Sequence, residues 1–446
     1  MNSWTCRSLF ACASAAVQLI ALPWNCASAS TLKTIYSFCS EQSCTDGYEP
    51  RSGVTLGAEG NLYGVTGGYS GAIYRLHPDS QGKSWTFAVL YRFCTEARCT
   101  DGFDPNGKLI LDNAGNLYGM TSAGGSEGGG VAFKLSPARH AYDAWTLEVL
   151  TNFCFHKHKQ CNQPSQPSSG LTYADASSGV PYDGASPLYG TTQAGGGPND
   201  AGSAYRLTLA RGKWSQKLLY SFDGASGALP GALLIDGADN LYGTTYNGGA
   251  GFQGTAFELA FHSHVWSRTI LYNFCSAAGC IDGRNPRGPL VSNDFENLFG
   301  VADGGNGKHC GAGPYCGALF QISVDGVNSR ETVLYNFCSL KSCRDGALPS
   351  GIALDASGQI FGVTEFGGQN KGQHAGRLGA GTLFAFDGKF HKLYDFCSET
   401  NCTDGEAPEG DLAADAAGDV FGTTFYGGSG AYRDDIASGT VFELAK

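Results

Sequence analysis

The apolar positions of this chain recur in short runs that alternate with polar residues, a period of two that is typical of β-strands. The most regular run is an aliphatic residue followed three positions later by Phe, usually with Tyr in between. It occurs seven times, at residues 35–38, 90–93, 150–153, 219–222, 271–274, 334–337 and 393–396. These Phe residues are 52 to 69 residues apart, so one unit of this size repeats along the chain.

Each unit carries further strand-like segments in a fixed order. A turn of the form Asp-x-x-Gly-Asn leads into Asn-Leu-Tyr-Gly-x-Thr, which stands at residues 61–66, 116–121 and 240–245 and, in degenerate form, at 187–192, 297–302, 359–364 and 419–424. A Gly-Gly loop and an alternating strand follow, as in residues 72–76 and 256–259. With 66 Gly and only 15% charged residues, the composition suits short strands joined by tight turns.

Four short strands in each of seven units predict an all-β fold, a seven-bladed β-propeller with four strands per blade. A lone copy of the Tyr-x-Phe strand stands near the start, at residues 31–38, and the chain ends just after a Gly-Gly strand. We therefore expect the N-terminal strand to close the last blade, which removes open sheet edges. Residues 30–446 are expected to form this single propeller domain.

The N-terminal segment has the features of a signal peptide. Arg7 supplies a positive charge, residues 9–22 are apolar, and Ala27-Ser28-Ala29 is a small-residue cleavage site. The apolar stretch is too short for a convincing membrane span. We expect residues 1–29 to be removed after Ala29, the mature chain to lack a membrane span, and the protein to be secreted or periplasmic.

The charge balance excludes some partners. Removing Arg7 from the 29 basic residues leaves 28 against 40 acidic ones. Such a surface repels phosphate backbones and anionic lipid headgroups, so no nucleic acid is expected as a partner.

The cysteines indicate an oxidising compartment. Of 17 cysteines, three precede residue 30 and the other fourteen form seven close pairs. The segment after Phe222 lacks both cysteines, which favours pairing within each loop. Metal binding is not expected, because two thiolates per loop fall short of four ligands. The predicted disulfides are Cys39–Cys44, Cys94–Cys99, Cys154–Cys161, Cys275–Cys280, Cys310–Cys316, Cys338–Cys343 and Cys397–Cys402.

The unit Leu-Tyr-x-Phe … Gly-Asn-Leu-Tyr-Gly-Thr-Thr-x-x-Gly-Gly … Gly-Thr-x-Phe-x-Leu resembles the GloVer tandem repeat of exported bacterial proteins, best in residues 219–259 and 420–444. The resemblance covers residues 31–446 and implies export and a propeller-like fold, without an established activity or catalytic residues. The Asp-x-x-Gly-Asn-Leu-Tyr turn is also similar, less specifically, to that of NHL-type propellers. Members often carry C-terminal anchors, and since no such segment precedes Lys446, we expect a released or periplasmic protein.

The candidate ligand site lies on the Gly-Gly loops of three successive units. Between the motif Thr and the next aromatic residue these loops hold 7, 11, 12 and 11 residues in the first four copies, but 17, 19 and 17 in the last three. Long loops on a rigid scaffold favour ligand binding, although solvated loop charges are the alternative interpretation. The candidate ligand-binding residues are Asp303, His309, Glu365, His374, Arg377, Arg433, Asp434 and Asp435.

Two function classes remain open from the sequence. No Gly-x-Ser-x-Gly elbow and no His-Glu-x-x-His pair occurs, which favours a non-catalytic binding propeller with a glycan, peptide or envelope-protein partner, and without metal or cofactor. The alternative is an extracytoplasmic hydrolase or lyase acting on a polysaccharide or lactone-type substrate at the channel mouth. The two differ in whether two carboxylates, or a His with a carboxylate, meet there within hydrogen-bond reach. Besides these two, a purely structural envelope component stays open. The oligomeric state stays open.

Overall fold

A computed structural model describes residues 31–68, 70–138, 144–155, 163–309, 316–373, 378–430 and 438–445. The described strands form seven antiparallel sheets, and no α-helix occurs within these ranges. The predicted seven-bladed β-propeller is thereby confirmed. Short 3-10 turns lie at Gln42–Cys44, Ala58–Gly60, Ala97–Cys99, Ala176–Ser178, Ala278–Cys280, Lys341–Cys343 and Thr400–Cys402.

The strands follow one another from the inner to the outer edge of each blade. After β1 (Leu32–Ser37), blade 1 consists of β2 (Thr55–Leu56), β3 (Leu62–Thr66), β4 (Ala72–Pro78) and β5 (Trp85–Arg92). Blade 2 consists of β6 (Phe103–Leu111), β7 (Leu117–Ala123), β8 (Gly128–Ser136) and β9 (Thr146–Cys154). Blade 3 consists of β10 (Pro164–Pro167), β11 (Leu188–Gly195), β12 (Ser203–Ala210) and β13 (Lys213–Ser221).

The remaining blades repeat this order. In blade 4 the inner strand is split, giving β14 (Ala228–Pro230), β15 (Leu234–Ile235), β16 (Leu241–Asn247), β17 (Thr255–His262) and β18 (Val265–Asn273). Blade 5 consists of β19 (Arg284–Val291), β20 (Asn297–Asp303), β21 (Ala318–Ser323) and β22 (Arg330–Asn336). Blade 6 consists of β23 (Ala347–Leu354), β24 (Ile360–Phe366), β25 (Thr382–Phe386) and β26 (Phe390–Asp395). Blade 7 has β27 (Glu406–Ala414), β28 (Val420–Tyr426) and β29 (Thr440–Leu444).

The fourth strand of blade 7 is β1. It pairs antiparallel with β29, so that Thr34 lies opposite Phe442 and Tyr36 opposite Val441. This pairing confirms the predicted closure of the ring by the N-terminal strand. The first and last described strands therefore belong to one sheet.

Aromatic pairs hold neighbouring blades together. The Phe that follows each outer strand is at most 1% exposed and packs edge-on or tilted against an aromatic residue in the third strand of the next blade. The motif Gly of Asn-Leu-Tyr-Gly leaves room for that second ring, because an added Cβ would overlap it. The pairs, with centroids 4.9 to 5.2 Å apart, are Phe38–Tyr74, Phe93–Phe133, Phe153–Tyr205, Phe222–Phe257, Phe274–Phe320, Phe337–Phe384 and Phe396–Phe442.

The cysteine loops contain five described disulfides, each within one loop as predicted, at Cys39–Cys44, Cys94–Cys99, Cys275–Cys280, Cys338–Cys343 and Cys397–Cys402. Cys154 and Cys316 are also disulfide-bonded, and their predicted partners, Cys161 and Cys310, lie outside the described residues. In each of the five loops an Asp accepts a hydrogen bond from the strand Tyr, as from Tyr36 to Asp46 at 2.8 Å. In blade 3, Ser226 and Asp223 hydrogen-bond each other instead.

Glycines bring the inner strands of neighbouring blades into backbone contact. A Cβ on Gly351 of β23 would overlap the carbonyl oxygen of Gly410 in β27, and one on Gly53 would overlap that of Asp411. The same close approach joins Gly107 to the backbone of Gly170. These contacts fix how closely the blades pack around the central channel.

Substituting one of these glycines should weaken the ring. We expect Gly351→Ala to lower the free energy of unfolding by about 1–3 kcal/mol, because the methyl group forces two backbones apart. Neither Gly351 nor Gly237 has a positive φ, and a Cβ on Gly237 would meet nothing within 4 Å, so Gly237→Ala is the matched control. Thermal unfolding of both variants is the measurement. Equal melting temperatures for the two would contradict the backbone contact.

Candidate functional site

The inner strands enclose a central channel with a cavity of about 1000 Å³ that all seven blades line. Each blade has a Pro in its inner strand or shortly before it, and the residue after that Pro lines the cavity. Unlike the Pro, this residue varies between blades, although Arg and Ser each occur twice. In chain order the seven are Arg51, Asn106, Ser168, Gly231, Arg287, Ser350 and Glu409.

A second set of variable residues follows the last position of the Asn-Leu-Tyr-Gly-x-Thr motif. That Thr is buried and structural; Thr364, for example, lies 2.8 Å from the hydroxyl of Thr382 in the next strand. The residue after it is free to vary, and in blades 4 to 6 it is Tyr246, Asp303 and Glu365. Asp303 ends β20, and Glu365 lies within β24. The prediction that both lie in long loops is wrong, because the sheet register continues through them.

An ion-pair cluster joins blades 4, 5 and 6 at this position. Arg287 contacts Asp303 (Nε–Oδ1, 3.0 Å) and Glu365 (Nη1–Oε2, 3.2 Å). The hydroxyl of Tyr246 lies 3.5 Å from Oδ2 of Asp303. Burial raises the pKa of Asp303 to about 6, even though the charge of Arg287 acts to lower it.

Two carboxyl groups meet at the junction of blades 6 and 7. Glu365 and Glu409 are in hydrogen-bond contact, which requires a proton between them. Burial, and then the charge of Glu365, raise the pKa of Glu409 to about 7, while Arg287 and Arg51 oppose the shift. Since the pKa of Glu409 is about 7, the pair holds up to one proton near neutral pH. Burial also raises the pKa of Glu365, and the charge of Arg287 opposes that shift.

Arg51 continues this series of charged side chains to blades 1 and 2. Its guanidinium contacts Glu49 (Nη2–Oε2, 2.8 Å) and lies 4.0 Å from Oδ1 of Asp104. Asp104 also accepts a hydrogen bond of 2.6 Å from the hydroxyl of Ser122. The ring of Phe425 lies below the guanidinium, with its centroid 5.6 Å from Cζ. One continuous set of charged and aromatic side chains thus lines the channel from blade 4 through blade 7 to blade 2.

The lining residues of blades 3 and 4 are uncharged. Blades 2 and 3 contribute amides and hydroxyls, including Asn106, Gln166, Ser168 and Gln193, and blade 4 contributes Leu229. The cavity therefore has an ionic half and a neutral polar half. Such a division suits a ligand that is itself polar over its whole length.

A second charged pair lines the same cavity. Burial lowers the pKa of Lys108, and the nearby carboxylate of Asp411 opposes this shift. Burial likewise raises the pKa of Asp411, against the charge of Lys108. The two charges largely compensate each other, so they add little to the net charge of the channel.

The sequence-predicted site residues separate into three groups. Asp303 and Glu365 lie together, bridged by Arg287, and Glu365 lines the cavity. His309 is exposed, and its backbone N–H donates to the carbonyl of Cys338 at 3.0 Å. His374, Arg377, Arg433, Asp434 and Asp435 lie outside the described residues. A ligand-binding wall built from these loops stays a prediction.

Sequence reasoning missed Arg51, Tyr246, Arg287 and Glu409. A signal for them exists, since each occupies a position that diverges between copies while its neighbours in the repeat do not. Within the described ranges there is no cluster of three or more His, Cys, Asp or Glu residues arranged to hold a metal ion. A search of those same residues finds no helix long and apolar enough to span a membrane.

Two solved structures align with most of this chain. The extracellular domain of a protein named as a hybrid two-component system from B. thetaiotaomicron aligns with a TM-score of 0.50 at 11% identity, covering 93% of this chain and 41% of that one. A protein named as a 6-phosphogluconolactonase from Bacteroides fragilis aligns with a TM-score of 0.49 at 11% identity, covering 82% and 94% of the two chains. These likenesses concern the fold alone, and no curated protein matches the sequence.

The repeat itself identifies the family. The sequence matches the Gloeobacter/Verrucomicrobia repeat over residues 24–183 and 166–375, which is more than half of the chain. This match confirms the resemblance found in the Leu-Tyr-x-Phe and Asn-Leu-Tyr-Gly motifs. The chain belongs to the family of the Gloeobacter/Verrucomicrobia repeat.

Proposed function

We propose that this protein is an extracytoplasmic binding propeller whose central channel holds a glycan. The observation that carries the proposal is the cavity of about 1000 Å³, whose variable positions hold carboxylates, guanidinium groups and amides. Planar groups of this kind form paired hydrogen bonds with neighbouring hydroxyls, and ion pairs hold several of them in place before a ligand arrives. A few fixed polar groups in a concave site are typical of ligand recognition.

The location outside the cytoplasm is part of the same proposal. Five described disulfides, each local to one loop, suit an oxidising compartment. The predicted signal peptide of residues 1–29 gives the route, and it stays a proposal. Neutral glycans are abundant in such compartments and would not be repelled by a chain with a net charge of −11.

Binding of soluble oligosaccharides, measured by isothermal titration calorimetry, tests the proposal. Arg51→Ala on the ionic half and Asn106→Ala on the neutral half should each raise the Kd about tenfold, because each removes a hydrogen-bonding group from the channel. Arg330→Ala is the control, since Arg330 is exposed on the outer strand β22. If no oligosaccharide binds, or if both channel variants bind like the control, the proposal fails.

One observation favours a second candidate, a hydrolase. Glu365 and Glu409 are in contact, whereas the two carboxyls of glycoside hydrolases stand about 5–10 Å apart. Two carboxyls that share one proton instead suit attack of water on a carbonyl carbon, as in an amide, ester or lactone. Turnover of a lactone or peptide panel, abolished by both Glu365→Gln and Glu409→Gln, would favour this candidate over pure binding.

A further inference from the structure

We infer that the glycan held by the channel is an amino glycan, and that its ammonium group binds between Glu365 and Glu409. The inference rests on the proposed glycan-binding function and narrows it to one class of ligand.

The charges of the channel do not balance. Lys108 and Asp411 compensate each other, which leaves Arg51 and Arg287 as the cations that line the cavity. The charge of Arg284 also acts on Asp303. Against these three cations stand five carboxyl groups, on Glu49, Asp104, Asp303, Glu365 and Glu409. Even with one proton on the carboxyl pair, acids outnumber bases by one. A cationic group on the ligand would offset this excess.

The carboxyl pair has the geometry of an ammonium acceptor. Nη1 of Arg287 lies 3.2 Å from Oε2 of Glu365, and the same carboxyl group is hydrogen-bonded to Glu409. An ammonium group has three N–H donors and can replace the shared proton, contacting both carboxylates at once. Binding would then release the shared proton. Glu409 holds this proton only weakly near pH 7, because its pKa, raised by burial and by the charge of Glu365, is about 7.

Aromatic rings lie beside the same carboxyls. Burial raises the pKa of Tyr426, and the charges of Glu49, Glu409, Glu406 and Glu365 add to the shift, in that order. The ring of Phe425 packs edge-on against Tyr426, with centroids 4.6 Å apart. The carboxylates around Tyr426 make the surroundings of its ring favourable for a cation.

A buried hydroxyl beside the pair gives an independent sign of a ligand. Ser52 lines the cavity and is only 5% exposed, and its Oγ has no hydrogen-bond partner among the described residues. Gly410, the neighbour of Glu409, packs directly against the backbone of Ser52. A buried hydroxyl is costly without a partner, so a polar ligand group at this junction would satisfy it.

The test compares two trisaccharides that differ in the amine, a glucosamine trimer and an N-acetylglucosamine trimer, by calorimetry at pH 7 on the full secreted chain. We expect the glucosamine trimer to bind at least tenfold more tightly. Its binding should release protons, detected as a dependence of the heat on the ionisation enthalpy of the buffer. Glu409→Gln should raise the Kd of the glucosamine trimer at least tenfold and the Kd of the N-acetylated trimer less than threefold. The same substitution should abolish the proton release.

Controls separate this inference from the proposed function. Glu127→Gln, an exposed acid on a loop of blade 2, should leave both affinities unchanged. If both trimers bind equally, the inference is overturned while glycan binding stands; if neither binds, both fail. Tighter binding of a lysine tripeptide than of the glucosamine trimer would also overturn the inference, in favour of a peptide ligand.

Discussion

A chain that begins at Cys39 is expected to aggregate, or to melt far below the chain that begins at residue 31. Without residues 31–38, blade 7 loses its outer strand, and five residue pairs between β1 and β29 disappear. Phe38, which is fully buried against Tyr74 of blade 1, is lost as well. Removal of such a buried Phe side chain alone costs about 3–5 kcal/mol. The freed edge of β29 would then be open to pairing with other chains.

The experiment compares the two chains by size-exclusion chromatography and thermal unfolding. Because β1 is a separate strand, a synthetic peptide of residues 31–38 should restore part of the lost stability when it is added in trans. The same peptide with Phe38→Ala is the matched control and should restore much less. Equal melting curves for the two chains would show that the pairing of β1 with β29 does not hold the ring closed.

The fold could be predicted because equivalent side chains make the same packing contacts in all seven blades. The Phe after each outer strand must fill the gap to the next blade, and the motif Gly must make room for the ring it meets, so neither can vary. The Asp-x-x-Gly-Asn turns were read correctly, since Asp112 accepts hydrogen bonds from the backbone of Ala114 and Asn116. The Tyr–Asp hydrogen bonds of the cysteine loops were missed, because spacing alone does not show that Asp101 reaches back to Tyr91.

The site could be predicted only in part. Loop length pointed to Asp303 and Glu365, but both lie in strands, and their common partner Arg287 stands at a distant position in the sequence. Glu409 is farther along still and meets Glu365 only because blades 6 and 7 are neighbours. Sequence reasoning can mark the positions that vary within a repeat. Which of them lie together across the channel depends on the order of the blades and the register of their inner strands.

Replacing Arg287 should destabilise the protein more as the pH rises. Arg287→Met keeps most of the side-chain volume but removes the charge that pairs with Asp303 and Glu365. Breaking a buried ion pair costs about 3–5 kcal/mol. Since Arg287 is one third exposed, we expect a loss of about 2 kcal/mol at pH 8.

The pH dependence follows from the direction of the pKa shifts. In the native protein burial already raises the pKa of Asp303 to about 6 and that of Glu409 to about 7, above their unfolded values. Between the unfolded pKa and the native pKa of each group, the native state therefore binds more protons than the unfolded state. The stability that each group contributes falls as the pH rises through this range. Without Arg287 the pKa of Asp303 and of Glu365 rises further, so the fall becomes steeper. At pH 5 the carboxyls can take up protons, and the variant should lose less than half of what it loses at pH 8.

Melting temperatures at pH 5 and pH 8 are the measurement, with Arg330→Met as the control for loss of an exposed guanidinium. The control should change little at either pH. An equal loss for Arg287→Met at both pH values would mean that Arg287 acts through packing and that the carboxyls around it do not depend on its charge. A loss that grows with pH would instead show that the charge of Arg287 stabilises the acids of the channel in their ionised form.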